Sequence, residues 1–314
     1  MEFRNLGRSG LQVSVVGLGC NNFGMRIDLD STKSVVNAAL DAGINLFDTA
    51  DVYGGSKSEE FLGVALGEKR HDVVVATKFG MKMGEGPYKS GGSRKYIVAA
   101  CEASLRRLNT DYIDLYQIHT PDPKTPIEET MRALDDLVKA GKVRYTGHSN
   151  FTGWMAAEAH YVAKMHGLTH FISAQNEYNL IARGIEGELV PACDRFGVGI
   201  LPYFPLASGL LTGKYRQGEE PPAGTRFGEW FKGPFAQRTL NDRNFGIVAK
   251  LDEFAVAHGH TLLDLAFGWL ISKPTVGSVI AGATKTEQVT GNVAAGNAWR
   301  LTAEEMAEVD KLAK

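Results

Sequence analysis

Short β-branched runs alternate with longer segments of helical spacing along this chain, and that alternation constrains the fold more than any other feature. Eight runs can be counted: Val13–Gly17, Ile44–Phe47, Val73–Thr77, Tyr112–Ile118, Val143–Gly147, Phe171–Ala174, Gly199–Tyr203 and Gly277–Ala281. Strands that alternate with helices this regularly form βα units and a parallel sheet. Eight units without a break predict one closed (β/α)₈ TIM barrel of class α/β, a single domain over residues 1–314. Such barrels run to about 250 residues and grow by insertion. An open doubly wound sheet is the alternative.

Local signals place several ends. Thr125-Pro126-Ile127-Glu128 reads as a capping box with proline at the first helical position. Asp41-Ala42-Gly43 reads as a helix end with glycine just beyond it. Ser93 precedes the periodic segment Tyr96–Leu108. The segment Phe3–Val13 has turn residues between two short apolar stretches. It predicts an N-terminal β-hairpin that plugs the barrel bottom. Residues 214–245, rich in Gly, Pro and charge, predict a long irregular loop over the site.

Composition excludes several classes of function. A net charge of −2 offers no field for nucleic acid or an anionic membrane. No run is long and apolar enough to span a bilayer, and the start has no apolar signal core. Three scattered cysteines, Cys20, Cys101 and Cys193, argue against a disulfide framework or a zinc ribbon. A cytoplasmic protein without metal is expected, acting on a small molecule, with no nucleic acid or membrane partner. The oligomeric state is left open. His166 and His170 have metal-ligand spacing on a weak helix, and are expected at the surface.

Barrel enzymes carry their chemistry at the carboxyl ends of the strands. Here those ends hold Asp48, with Asp51 and Tyr53 in the following loop, then Lys78, His119, His148-Ser149-Asn150 and Gln175-Asn176. Lys78 follows a continuous apolar run, so its ammonium needs a partner, and Asp48 is the nearest candidate. A cation beside Tyr53 is expected to lower the phenol's pKa from about 10 and fit it for proton transfer. His119 would hydrogen-bond a substrate oxygen or relay that proton. Each residue alone has an ordinary structural explanation. Four compatible groups at the ends of three consecutive strands do not.

These stretches resemble a known family. Asp48-Thr-Ala-Asp-Val-Tyr53-Gly, Ala76-Thr-Lys78-Phe-Gly and Asp114-Leu-Tyr-Gln-Ile-His119 look like the catalytic motifs of the aldo-keto reductase superfamily. Gly147-His-Ser149-Asn150 and Ala174-Gln175-Asn-Glu-Tyr-Asn179 resemble its nicotinamide-binding motifs. Pro202–Leu210 and Ile280–Lys285 resemble its segments for the pyrophosphate and the adenosine phosphate. The likeness runs in order through essentially the whole chain.

The resemblance implies Tyr53 as acid/base, tuned by Lys78 and Asp48, with His119 orienting a carbonyl. It implies that Ser149, Asn150 and Gln175 hold the nicotinamide carboxamide and that Tyr203 stacks on the ring. Phe204, Pro205, Leu206, Ser208, Gly209, Leu210 and Lys214 would lie along the pyrophosphate. Gly282, Ala283, Thr284, Lys285, Gln288 and Asn292 would surround the adenosine end, at a helix starting near Thr286. Asn22, Phe23 and Gly24 would lie close to the cofactor. Many relatives carry arginine where Gln288 stands. Thr284 and Lys285 still favour NADP(H) over NAD(H). Aromatic and methionine side chains, Phe23, Met25, Phe79, Met81, Tyr88, Trp230 and Phe231, are expected to wall the substrate pocket. The loop Met81–Gly92 is expected to order on substrate.

NADPH-dependent reduction of aldehydes or ketones is the expected function. An alcohol or sugar dehydrogenase run in the oxidative direction is one alternative. Another is a redox-sensing regulatory subunit of the kind associated with potassium channels, which a chain starting directly at the hairpin is expected to disfavour.

Overall fold

The computed structural model describes residues 1–314. Eight parallel strands form the barrel: β3 (Val16–Gly19), β4 (Leu46–Asp48), β5 (Val74–Phe79), β6 (Ile113–Ile118), β7 (Val143–Ser149), β8 (Phe171–Gln175), β9 (Gly199–Ile200) and β10 (Val279–Gly282). Each pairs with its sequence neighbour, and β10 returns to β3. The seam between β9 and the approach to β10 closes through Ile200 N to Thr275 O at 2.7 Å and Gly277 N to Ile200 O at 2.9 Å. The outer layer consists of α1 (Leu29–Asp41), α2 (Lys57–Leu66), α3 (Arg94–Leu108), α4 (Ile127–Lys139), α5 (Gly153–His166) and α6 (Leu189–Phe196). After β9 come α7 (Pro234–Thr239), α8 (Asp242–Ala257) and α9 (Leu262–Ile271). After β10 come α10 (Thr286–Ala298) and α11 (Ala303–Leu312). No single helix is long and apolar enough to cross a membrane.

The hairpin of β1 (Phe3–Asn5) and β2 (Gln12–Ser14) closes one end. Its turn inserts Leu6, fully buried, among Val13, Leu46, Val74, Ala76, Leu115, Leu201 and Ile280. Bare backbone makes room for it: a Cβ on Gly277 would lie 2.6 Å from Leu6 Cδ1. Function is thereby left to the opposite end, where the strands finish.

Several local expectations shift. The first barrel strand is Val16–Gly19, and Val13 belongs to the hairpin. The continuous apolar run gave no mark of the changeover, which Asn45 makes by accepting from Ser14 N at 2.7 Å. Strand β9 is only two residues long because Pro202 has no N–H to offer the ladder. The capping box at Thr125 does not form. Pro126 is the cap residue of α4, and the Thr125 hydroxyl donates to Asp122 Oδ2 at 2.7 Å. Gly43 does follow the end of α1, with φ +81°. His166 and His170 are exposed. The segment 214–245 is not irregular throughout. It contains α7 and the start of α8, and Phe227, Phe231, Phe235 and Phe204 pack edge-on or stacked into an aromatic cluster.

Candidate active site

The strand ends open into a cleft of about 770 Å³, within the usual range for small-molecule sites. At its base stands an ion pair formed by two neighbouring strands. Lys78, fully buried on β5, donates to Asp48 Oδ2 at 2.7 Å and to Thr49 O at 2.7 Å. Gln175 Nε2, from the end of β8, donates to Asp48 Oδ1 at 2.8 Å. Burial by itself would lower the Lys78 pKa, but Asp48 and Tyr53 outweigh it and hold the pKa above its ordinary value. The ammonium is therefore fixed in a dry site.

Tyr53 sits on the turn after β4, where Gly54 and Gly55 take φ of +58° and +63°. Its ring centroid is 5.0 Å from Lys78 Nζ and 5.7 Å from the His119 ring, edge to face. The expected lowering of its pKa is not found. Burial pushes the hydroxyl up, and the opposing pull of Lys78 does not overcome it. Burial, reinforced by Lys78, pushes His119 down to about 3. The imidazole is thus neutral at physiological pH, suited to donating or accepting one hydrogen bond and not to carrying a proton as imidazolium. Asp48, Tyr53 and His119 line the cleft, and Lys78 lies immediately beneath it.

The cleft extends from these groups to the head of α10. Ser149, Asn150, Gln175 and Tyr203 line its near part. Ser149 Oγ donates to Gln175 O at 2.7 Å, and the Tyr203 hydroxyl donates to Asn150 Oδ1 at 2.9 Å. Phe204, Pro205, Leu206, Ser208, Gly209 and Lys214 line the middle. Phe204, Ala207, Ser208 and Gly209 all take positive φ, which curls the backbone there. Asn22 reaches the same stretch, with Gly282, Thr284, Gln288 and Asn292 at the far end. Five residues expected along the cofactor do not reach the cleft surface. Phe23, Leu210 and Ala283 are fully buried behind it, and Gly24 and Lys285 lie outside it. Of the expected substrate wall only Met81 lines the cleft. Phe79 packs on Tyr116 at 4.7 Å, Met25, Tyr88 and Trp230 are exposed, and Phe231 joins the aromatic cluster.

A family model for the aldo/keto reductase family matches residues 15–314. The chain belongs to the aldo/keto reductase family. A probable voltage-gated potassium channel subunit beta from Oryza sativa subsp. japonica is 42% identical, with 99% of this chain and 95% of that protein covered. The L-glyceraldehyde 3-phosphate reductase of Escherichia coli strain K12 is 35% identical, with 99% and 92% covered. A putative voltage-gated potassium channel subunit beta from Schizosaccharomyces pombe is 36% identical, with 99% and 93% covered. As a member of this family with reductase relatives, the chain is an oxidoreductase.

In this aldo/keto reductase the far part of the cleft has the chemistry a dinucleotide needs. Arg26, Lys214 and Arg226 all line it. Arg226 Nη2 is 3.5 Å from Asn21 Oδ1, Arg26 Nη2 donates to Gly224 O at 3.2 Å, and no carboxylate pairs with either. Burial and the neighbouring Arg26 push the Arg226 pKa down to about 10. Asn22 Oδ1 and Ser208 Oγ are buried without a hydrogen-bond partner. A Cβ on Gly282 would come within 3.2 Å of Arg226 Nη2 and Asn22 Nδ2, so glycine keeps this polar cradle open. The residues present therefore fit a nicotinamide dinucleotide. Arg26 and Arg226 stand in loops away from the strand ends, so the strand pattern gives no sign of them. The one available signal was two arginines in otherwise glycine-rich loops.

Proposed function

We propose that this enzyme reduces an aldehyde or ketone with NADPH, with Tyr53 as the proton donor. The observation that carries the reading is the buried Asp48–Lys78 pair set against the Tyr53 ring, with neutral His119 on the other side. A bound nicotinamide cofactor would supply the hydride. The protein's part is to hold the carbonyl and to manage the proton. A substrate oxygen between Tyr53 and His119 meets a phenol that stays protonated in the resting site and an imidazole with an N–H to donate. As that oxygen gains charge, the phenol gives up its proton, and the Lys78 ammonium stabilises the phenolate left behind. Asp48, itself held by Gln175, keeps the ammonium in place.

Ser149, Asn150, Gln175 and Tyr203 are the side chains we assign to the nicotinamide end, and Lys214, Arg226 and Arg26 to the pyrophosphate. Thr284, at the positive end of α10, and exposed Lys285 beside it favour a 2′-phosphate, hence NADP(H) over NAD(H). Three free, buried cysteines suit a cytoplasmic setting. The relatives named as potassium channel subunits support a second reading, a cofactor-binding regulatory subunit with slow turnover.

The experiment is NADPH oxidation with a panel of aldehydes, wild type beside Tyr53→Phe, with cofactor binding followed by protein fluorescence. Loss of about 10²–10⁴ in turnover with binding retained is expected for a general acid. Undiminished turnover in Tyr53→Phe would remove the assignment. Tight cofactor binding by wild type without turnover of any carbonyl would favour the regulatory reading.

A further inference from the structure

Behind Tyr53 lies a pair of acidic residues that the proton-donating step does not use. Asp51 and Glu59 are both buried. Glu59 is fully engaged: Thr77 Oγ1 donates to Oε1 at 2.5 Å, and Arg107 Nε to Oε2 at 2.6 Å. Asp51 is not. Its Oδ1 has no partner, and the one side chain its Oδ2 meets is Tyr96, whose hydroxyl is 3.4 Å away. The same hydroxyl is also 3.4 Å from the Met81 carbonyl oxygen.

That hydroxyl has one proton and two acceptors. Asp51 lies on the turn that carries Tyr53, and its backbone is pinned by Lys78 O at 3.2 Å and by the Ser56 hydroxyl at 2.8 Å. Met81 lines the cleft and begins the stretch to Gly92, which is held by Met83 N to Lys89 O within it and by Gly91 N to Gly80 O at its base, both 2.8 Å. Tyr96 is thus a bridge between the catalytic turn and the cleft wall.

We propose that Tyr96 is a positioning residue of the active site, tying Met81 to the Tyr53 turn when Asp51 is protonated and releasing it when Asp51 is ionised. The inference rests on reading this cleft as the carbonyl-reducing site. With Asp51 protonated, its O–H donates to the Tyr96 oxygen, and Tyr96 donates onward to Met81 O. Both contacts of the Tyr96 hydroxyl are then hydrogen bonds. When Asp51 loses its proton to solvent, the Tyr96 O–H turns to the carboxylate, and Met81 O is left without a donor.

The surroundings place this change in the working range of pH. Burial, with Glu59 on α2, raises the Asp51 pKa to about 7, against the opposing pull of Arg107 and the hydrogen bond from Tyr96 on α3. Tyr116 on β6 faces the same cluster and, like Tyr96, is raised by burial, so both keep their protons. Lys78 on β5 offers Asp51 only its backbone, because its ammonium is held by Asp48 and Thr49.

Hydrogen exchange of the intact enzyme over residues 81–92, corrected for intrinsic rates, tests this at pH 6 and pH 8. Wild type is expected to exchange about fivefold more slowly at pH 6, the worth of one net hydrogen bond. Asp51→Asn, whose amide donates to Tyr96 at every pH, should stay slow at both values. Tyr96→Phe should stay fast at both. The KM for an aldehyde should rise with pH by a similar factor in wild type, and stay flat in Asp51→Asn. Exchange that is independent of pH in wild type, or dependence retained in Asp51→Asn, overturns the bridge. If the exchange pattern holds and no carbonyl is turned over, the bridge stands and the reductase reading falls. Turnover without the exchange pattern does the reverse.

Discussion

His148 should make this barrel sensitive to mild acid. It sits at the end of β7, fully buried, stacked on Phe151 at 4.6 Å and edge-on to Phe171 at 5.3 Å. Neither ring nitrogen has a hydrogen-bond partner. Burial alone pushes its pKa from 6.5 down to about 3. The unfolded chain therefore binds a proton that the folded chain refuses. Stability is complete above pH 6.5 and falls progressively as pH drops toward 3. At pH 5 the loss reaches about 2 kcal/mol from this one residue. An unfolding entropy of about 2.1 cal/mol/K per residue converts that to roughly 3 °C in Tm. His119 adds a dependence of the same sign, so the informative quantity is a difference. His148→Leu keeps a similar volume and removes both unpaired nitrogens. Urea or thermal unfolding at pH 7.5 and pH 5 should show the variant losing about 2 kcal/mol less than wild type over that interval. Parallel losses in the two proteins would mean that His148 is protonated in the fold or not buried as described, and would refute the reasoning.

Two further substitutions probe the site. Lys78→Met leaves the Asp48 carboxylate buried beside an apolar chain, so it should cost about 3–5 kcal/mol of stability as well as turnover; chemical denaturation at neutral pH measures the first. Lys285→Ala should weaken NADPH binding by about tenfold and leave NADH nearly unchanged, the loss of one charge-assisted contact; equal losses by fluorescence titration would deny Lys285 a phosphate.

The barrel was legible because short β-branched or apolar runs recur eight times between helical segments, and several of them stop at a polar residue. The same pattern exposed Asp48, Lys78, His119 and Gln175, since a charged or amide group ending such a run has few places to go but the cleft. What escaped was set by packing across the sequence. Phe23 and Phe79 read as pocket walls, yet both face the core. Arg26 and Arg226 come from loops with no periodicity, and only the fold brings them to one cleft. The direction of the Tyr53 shift was a contest between a nearby cation and burial, and sequence reveals the cation but not the depth. The aromatic spacing from Phe227 to Phe235 did contain a hint of helix in the segment 214–245, masked there by glycine and proline.

The Leu6 plug has a kinetic corollary. Leu6 and its apolar neighbours fill the hairpin end, and the cleft above the Lys78–Asp48 pair has its mouth at the strand ends. Whatever covers that mouth isolates the Tyr53 hydroxyl from solvent isotope for as long as it stays. On the role proposed for Tyr53, a proton spent in a turnover would be replaced through that mouth once the product leaves, so the residence time of the departing molecule would set the clock for rearming the site.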